Sequence, residues 1–333
     1  MKVKTAVVGV GSMGKNHVRL YSELKDSELV AIADIDSQKA KEIGKKFNIN
    51  WYSNYLQLLQ EEEVDAISVS APTSTHYEIC KNILNSKKHV LVEKPISSNL
   101  EQAKNMIELS KRNGILLMVG HIERFNPAVL KLKELLTEDF LGEIVSLSSK
   151  RVGYYKPGQR AIFDVVVDFS IHDIDVMRFL VEHEVKSVYS KTKSILSELE
   201  DYVSAILEFE NGVSGIIESN LFTPTQIRTM HITGTKGYAE IDFINQDITI
   251  YGNLEKEGHK ASKNQILKYS NTIIGRPFVA KNEPLKLELE HFLNCIISNK
   301  TPLTDGNEGL KNLEVAKMIM LSSEKNMPVN KVS

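Results

Sequence analysis

The chain has 333 residues, 42% hydrophobic and 25% charged, with a formal net charge of −2. That length can bury a sizeable core and suits two domains, and the charge balance argues against a general nucleic-acid binder, which carries a basic excess. Cys80 and Cys295, the only cysteines, exclude a disulfide framework or a thiolate metal cluster and read as small buried apolar residues.

The first segment, Val3-Lys4-Thr5-Ala6-Val7-Val8, reads as a buried strand, with no room before it for a signal peptide. No apolar run approaches the roughly 18–20 residues of a membrane span, so the expectation is a cytoplasmic enzyme or regulator with no membrane partner. Next comes Gly9-Val10-Gly11-Ser12-Met13-Gly14, which opens into a helix-forming stretch with an apolar row at Val18 and Tyr21. A glycine pattern alone mostly marks turns, but here it has the preceding strand and following helix that dinucleotide binding requires. Gly9 allows the tight turn, Gly11 lets the backbone approach a pyrophosphate, and Gly14 lets helix and strand pack closely. Ser12 and Met13 then open a helix whose unpaired N–H groups favour phosphate.

A second buried strand, 28–34, ends in Asp34, 25 positions after Gly9 and close to the spacing of the carboxylate that holds the adenosine ribose. With Ile35 and Asp36 beside it and no Arg or Lys, a 2′-phosphate is repelled, so NAD is expected over NADP. The competing reading makes Asp34 a helix cap, but Asp36 and Ser37 can serve there. A helix at 37–47, a short strand near Trp51 and a short helix at 55–61 follow. A strand at 64–70 leads to Ala71-Pro72-Thr73-Ser74-Thr75-His76, a turn at the ligand-binding end of a parallel strand. After another helix, His89-Val90-Leu91-Val92-Glu93-Lys94-Pro95 is a strand ending in two charges and a proline. Ser98-Asn99-Leu100-Glu101 fits a capping box for a helix reaching about 112, and a strand at 115–120 closes the alternation. The fold class is therefore α/β: a doubly wound parallel sheet over 1–121, followed over 122–333 by an α+β domain with a large, mostly antiparallel open sheet.

That second domain opens with a helix at 126–136. Strands are expected at about 144–152, 185–193, 204–210, 213–220, 226–233, 237–243 and 247–252, broken by a helix around 173–181. Asn211-Gly212 is a strong hairpin signal. Residues 256–264 read as a surface loop, and helices at 285–298 and 308–323 end the chain.

Two places carry chemistry. In Asp168-Phe169-Ser170-Ile171-His172, a helix puts Asp168 and His172 on one face, where a carboxylate can orient an imidazole and raise its basicity. Local hydrogen bonding alone accounts for such a histidine equally well. Lys94, at the cofactor edge of the sheet, is either desolvated and reactive, paired with Glu93, or in solvent. Together the three residues suit oxidation of an alcohol, with His172 taking the hydroxyl proton, Lys94 stabilising alkoxide charge, and Asp168 orienting His172 or the substrate.

The glycine loop, Glu93-Lys94-Pro95 and the Asp168/His172 pair together resemble the glucose–fructose oxidoreductase and inositol dehydrogenase family over nearly the whole chain. The resemblance implies Lys94, Asp168 and His172 as the catalytic group and a cis peptide before Pro95. It also implies cofactor contacts by Gly9, Gly11, Ser12, Met13, Gly14, Asp34, Pro72, Thr73, His76, Glu93 and Lys94, with NAD as cofactor. Arg124-Phe125-Asn126-Pro127 matches a pattern at the domain junction, and association through the open sheet implies a homodimer or homotetramer. Residues 120–129, 150–153, 172–177 and 234–240 are similar to members acting on nucleotide sugars. These stretches imply oxidation of the 3-hydroxyl of UDP-N-acetylglucosamine to a 3-keto product.

Lys150, Arg151, Lys156 and Arg160, with Tyr154 and Tyr155, make a basic and aromatic cluster compatible with a uridine diphosphate. Arg124, Asn126, Arg151, Tyr155, Arg160 and Asp168 are the candidate substrate contacts. A solvated loop or an oligomer contact explains the cluster as well. His121 and Glu123 lack a third partner for a metal, and none is expected. The alternatives are a dehydrogenase of a free polyol such as inositol, which needs no diphosphate site, and a non-catalytic cofactor-sensing regulator. The regulator reading predicts loss of Lys94, Asp168 and His172, and all three are present.

Overall fold

A computed structural model describes residues 2–154, 164–253 and 272–331. It divides into two compact units, one of residues 1–125 and 283–314, the other of 126–282 and 315–333.

In the first unit strands and helices alternate: β1 (Val3–Val8), α1 (Ser12–Glu23), β2 (Ser27–Ala33), α2 (Ser37–Phe47), β3 (Asn50–Tyr52), α3 (Tyr55–Glu61), β4 (Ala66–Val69), α4 (Thr73–Asn85), β5 (His89–Glu93), α5 (Leu100–Asn113) and β6 (Leu117–Gly120). The six strands form one parallel sheet in the order β3-β2-β1-β4-β5-β6. Their apolar runs follow from burial on both faces: in β1, Ala6 and Val8 join one core cluster while Val3 and Val7 join the other. A fully buried valine such as Val7 contributes about 1.5–3 kcal/mol relative to exposure. The order reverses between β1 and β4, which puts the ligand crevice at the carboxyl ends of those strands. The cap of α5 differs from the expected box: Asn99, not Ser98, accepts from the Gln102 N–H at 3.0 Å. Asn serves as well as Ser at this position, and Asn99 is the residue already in extended backbone.

The second unit opens with α6 (Pro127–Thr137) and β7 (Ile144–Tyr154). A π-helical turn, Val166–Ser170, then runs into α7 (Ile171–Val181). Strands follow: β8 (Val185–Lys193), β9 (Tyr202–Phe209), β10 (Ser214–Asn220), β11 (Phe222–Gly234), β12 (Gly237–Asp242), β13 (Asp247–Asn253) and β14 (Thr272–Gly275). The β9–β10 hairpin turns at Gly212, whose φ of 85° favours glycine.

Two long helices, α8 (Pro284–Ser298) and α9 (Gly306–Lys325), and a two-residue strand, β15 (Val329–Asn330), complete the described chain. Among the described residues the second sheet has nine strands in the order β14-β13-β12-β11-β7-β10-β9-β8-β15, antiparallel except for the β7–β10 pair. One face is covered by a core that includes Ile174, Met177 and Leu180 of α7 and Val315, Ala316 and Ile319 of α9. On the other face Tyr189, Ile206 and Ile216 are paired in register across β8, β9 and β10, and they are 40%, 54% and 46% exposed. The sequence reading assigned all of 122–333 to the second domain. Instead, residues 283–314 return to the first unit, where Leu285, Leu289, Phe292 and Leu293 of α8 pack in a cluster with Val18 and Tyr21 of α1. No helix among the described residues is long and apolar enough to cross a membrane.

Candidate active site

The glycine loop leaves β1 at the carboxyl edge of the parallel sheet. Gly9 has φ +85°, and a Cβ there would lie 2.7 Å from the Ala71 nitrogen; a Cβ on Gly14 would lie 1.9 Å from the Gly9 oxygen. Gly11 is different, with nothing within 4 Å of its Cβ position. No side chain caps the N-terminus of α1, and no acid occupies its first turn, so the N–H groups around Ser12 and Met13 suit a phosphate.

Asp34 follows β2. Its Oδ2 accepts from the Val10 N–H at 2.8 Å and its Oδ1 from the Asp36 N–H at 2.9 Å, which leaves one lone pair on each oxygen for ribose hydroxyls. It does not cap α2: Asp36 does, accepting from the Lys39 N–H at 3.0 Å. Pro72 and Thr73 begin α4 beyond β4, with Pro72 exposed and Thr73 half-buried. These residues fit a dinucleotide, with an uncapped helix end for the pyrophosphate and a carboxylate one strand away for the ribose.

Two expected cofactor contacts face inward instead. His76 is buried, with Nδ1 2.9 Å from the Pro95 oxygen and Nε2 2.8 Å from the Ala71 oxygen, so it ties α4 to the turn after β5. Burial pulls its pKa below the usual histidine range, against the two carbonyls. Glu93 is also buried, its Oε1 3.0 Å from His17 Nε2 of α1. Burial pushes the Glu93 carboxyl up, but the hydrogen bond from His17 and the neighbouring Lys94 charge outweigh it, so the group lies below the usual carboxylate range. His76 and Glu93 thereby help to hold the turn between β5 and α5. Lys94, half-buried, stands in that turn, and the Lys94–Pro95 peptide is cis. The sequence carries one signal for His17, its place on the inner face of α1 beside Val18 and Tyr21.

In the second unit Asp168 lies in the π-helical turn and His172 in the first turn of α7, both half-buried. A π turn is wider than an α turn, so the strict α-helical i, i+4 relation expected of this pair is modified by the extra residue in the winding. The Asp168 N–H donates to the Asp164 oxygen at 3.0 Å. Asp164 in turn caps the segment, its Oδ1 accepting from the Val166 N–H at 2.7 Å. Burial and the adjacent Glu200 carboxyl push Asp164 up to about 7.

Three of the candidate substrate residues have buried protein partners. Arg151 is 2% exposed and forks onto Asp173 of α7, Nε to Oδ2 at 3.0 Å and Nη2 to Oδ1 at 3.1 Å, with its guanidinium over the Phe243 ring. Its strand neighbour Lys150 faces the opposite side and pairs with Glu218 at 3.2 Å. Alternation along β7 thus splits the expected basic cluster. Arg124, 3% exposed, donates to the Leu303 oxygen and to Glu308 Oε2, within the first unit. Asn126 is the buried cap of α6 and donates to the Phe243 oxygen at 3.0 Å. Tyr155, Lys156 and Arg160 lie outside the described residues. His121 is buried, its Nε2 accepting from Asn312 at 3.2 Å. Among the described residues no group of three or more His, Cys, Asp or Glu is arranged to hold a metal.

Family models match most of the chain: an oxidoreductase-family NAD-binding Rossmann fold over residues 3–121 and an oxidoreductase-family C-terminal alpha/beta domain over residues 133–330. The chain belongs to the Gfo/Idh/MocA oxidoreductase family. It is similar to UDP-N-acetylglucosamine 3-dehydrogenase of Acidithiobacillus ferrooxidans, 28% identical over 329 residues and 97% of each chain. A solved structure of that enzyme covers 98% of both chains at 26% identity with a TM-score of 0.87. The scyllo-inositol 2-dehydrogenase (NAD(+)) of Bacillus subtilis is 27% identical over 342 residues, 98% of this chain and 96% of that one. This Gfo/Idh/MocA protein is therefore an NAD-binding oxidoreductase of the kind that acts on a CH–OH group, its dinucleotide domain being the first unit's parallel sheet.

Proposed function

We propose that the protein oxidises the 3-hydroxyl of UDP-N-acetylglucosamine to the 3-keto nucleotide sugar, for amino-sugar nucleotide biosynthesis. The observation that carries the reading is the end-to-end similarity to an enzyme of that name, over 97% of both chains. Lys94 at the carboxyl edge of the parallel sheet, and Asp168 and His172 on one helical segment, agree with it. NAD, when bound, supplies the acceptor for the hydride that leaves the sugar carbon. The chain's own groups manage the proton. His172 takes it from the hydroxyl, the Lys94 ammonium stabilises negative charge growing on that oxygen, and Asp168 orients His172 or the substrate. The product ketone is a natural substrate for transamination.

A second reading, oxidation of a free polyol such as inositol, is favoured by one specific observation: Arg151, an expected diphosphate partner, is paired with Asp173 instead. Association as a homodimer or homotetramer through the open sheet is part of the proposal, and the row Tyr189, Ile206 and Ile216 supports it.

The test follows reduced-cofactor absorbance with NAD and a panel of UDP-N-acetylglucosamine, its uronate, UDP-glucose and myo-inositol, after checking the purified protein for bound NADH. Turnover is expected with UDP-N-acetylglucosamine and is expected to fall by about 10²-fold or more in Lys94→Met and in His172→Ala. Turnover with myo-inositol alone overturns the substrate, and near wild-type activity in either variant overturns the mechanism.

A further inference from the structure

His17 is fully buried in α1, one turn below Gly14, and 76 residues in sequence from the group it meets. Its Nε2 lies 3.0 Å from Glu93 Oε1, while its Nδ1 has no hydrogen-bond partner among the described atoms. An N–H at Nδ1 would be stranded in a dry interior, so the partners assign the ring as the tautomer that donates from Nε2. The receiving carboxylate has little room to move. Its other oxygen lies 3.2 Å from where a Cβ on Gly120 would stand, so glycine in β6 leaves the space that this carboxylate fills. Glu93 is followed directly by Lys94, so the anchored glutamate and the lysine share one short stretch of backbone.

We propose that His17 is a positioning residue for Lys94: its hydrogen bond fixes the Glu93 side chain, and the fixed residue holds the backbone from which Lys94 extends. The inference rests on the role proposed for Lys94 in alcohol oxidation. It explains why a polar ring is kept at a fully buried position of α1, between Val18 and the loop glycines, where an apolar residue would pack without a desolvation cost. It also joins two parts of the site that the sequence separates. The helix that presents N–H groups to the cofactor phosphates and the turn that presents the lysine to the substrate are held in register by one bond. His76 grips the far side of the same turn through the Pro95 oxygen, so Lys94 stands between two anchored neighbours. Small displacements of a catalytic group are costly, about 10²-fold for roughly 1 Å.

The test compares full-length His17→Met, which fills the space without a donor, with His17→Gln, which returns an N–H near the Nε2 position. Folding is checked by thermal melting, NAD affinity by calorimetry, and kcat and KM with the panel substrate that the wild type oxidises. His17→Met is expected to lower kcat by about 10²-fold while the Kd for NAD and the KM change little, and His17→Gln to recover most of the loss. A folded His17→Met with wild-type kcat overturns the proposal, as does a loss confined to melting temperature. Where His17→Met does not fold, His17→Gln is compared with His17→Asn, whose shorter amide cannot reach Glu93; equal kcat in the two overturns the proposal. Titration of the Glu93 carboxyl by carbon NMR gives a readout independent of turnover. An upward shift in His17→Met that Gln reverses supports the anchor, and no shift overturns it. If the wild type oxidises nothing in the panel while that shift is seen, the reaction assignment fails and the anchoring of Glu93 stands.

Discussion

Replacing the three loop glycines by alanine one at a time separates packing from cofactor binding. In Gly14→Ala the new methyl would start 1.9 Å from the Gly9 carbonyl oxygen, where ordinary contact begins at 3.4 Å. Loop and helix therefore have to part by roughly 1.5 Å, an overpacking that costs about 1–3 kcal/mol or more. For a unit of this size that lowers Tm by about 3–10 °C with no cofactor present. Gly9→Ala meets backbone at 2.7 Å and a φ of +85°, so a loss of similar size is expected. Gly11→Ala behaves oppositely. Its backbone, φ −68° and ψ −153°, is open to alanine, and nothing lies within 4 Å, so stability changes by less than about 0.5 kcal/mol. The methyl nevertheless occupies the space through which a pyrophosphate reaches the α1 N–H groups. The Kd for NAD is expected to rise at least about tenfold, equivalent to about 1.4 kcal/mol. Scanning calorimetry without cofactor and titration calorimetry with NAD read the two effects separately. Wild-type NAD affinity in Gly11→Ala would refute the phosphate path, and an unshifted Tm in Gly14→Ala would refute the packing argument.

Other outcomes follow from the same geometry. Asp34→Ala is expected to weaken NAD and to relax discrimination against NADP, and a wild type that prefers NADP in a competition assay would contradict the role given to Asp34. Arg151→Met removes the buried fork onto Asp173 and is expected to cost about 3–5 kcal/mol in urea unfolding. Arg151→Met with Asp173→Leu should recover most of that with unchanged substrate KM, and a raised KM in the folded double variant would return Arg151 to the substrate site. Asp164 has a folded pKa of about 7, above its ordinary 3.8, so it favours the protonated form. Its stabilising contribution is complete below about pH 4 and lost as pH rises through about 7, the neighbouring Glu200 and Lys317 setting the steepness. Asp164→Asn keeps an acceptor for the Val166 N–H and should flatten that part of the stability profile; an unchanged slope would show that another group is responsible.

Much of the first unit was legible because its signals are local. Buried parallel strands are continuous apolar runs, and Gly9, Gly11 and Gly14 each occupy a position whose physical reason is visible within the motif and its flanks. Asp34 was separable from a cap because Asp36 stood ready to cap α2 instead. The pairings that the sequence hides are those whose partner lies far along the chain. Arg151 finds Asp173 22 residues away and His17 finds Glu93 76 away, and no periodicity announces either pairing. Alternation in β7 does announce that Lys150 and Arg151 point to opposite faces. Asn126 caps α6 and Arg124 braces the first unit, and a motif does not tell such a buried cap or brace from a ligand contact. The return of α8 to the first unit depends on which apolar face its helix stripe meets, and an amphipathic stripe does not name its partner.

The central claim is tested most directly by supplying NAD with UDP-N-acetylglucosamine that carries deuterium at carbon 3 and examining the reduced cofactor by mass spectrometry. The account predicts deuterium in the reduced nicotinamide and a ketone at carbon 3 of the sugar. Reduced nicotinamide without deuterium, or no reduction under conditions where myo-inositol is oxidised, would contradict it.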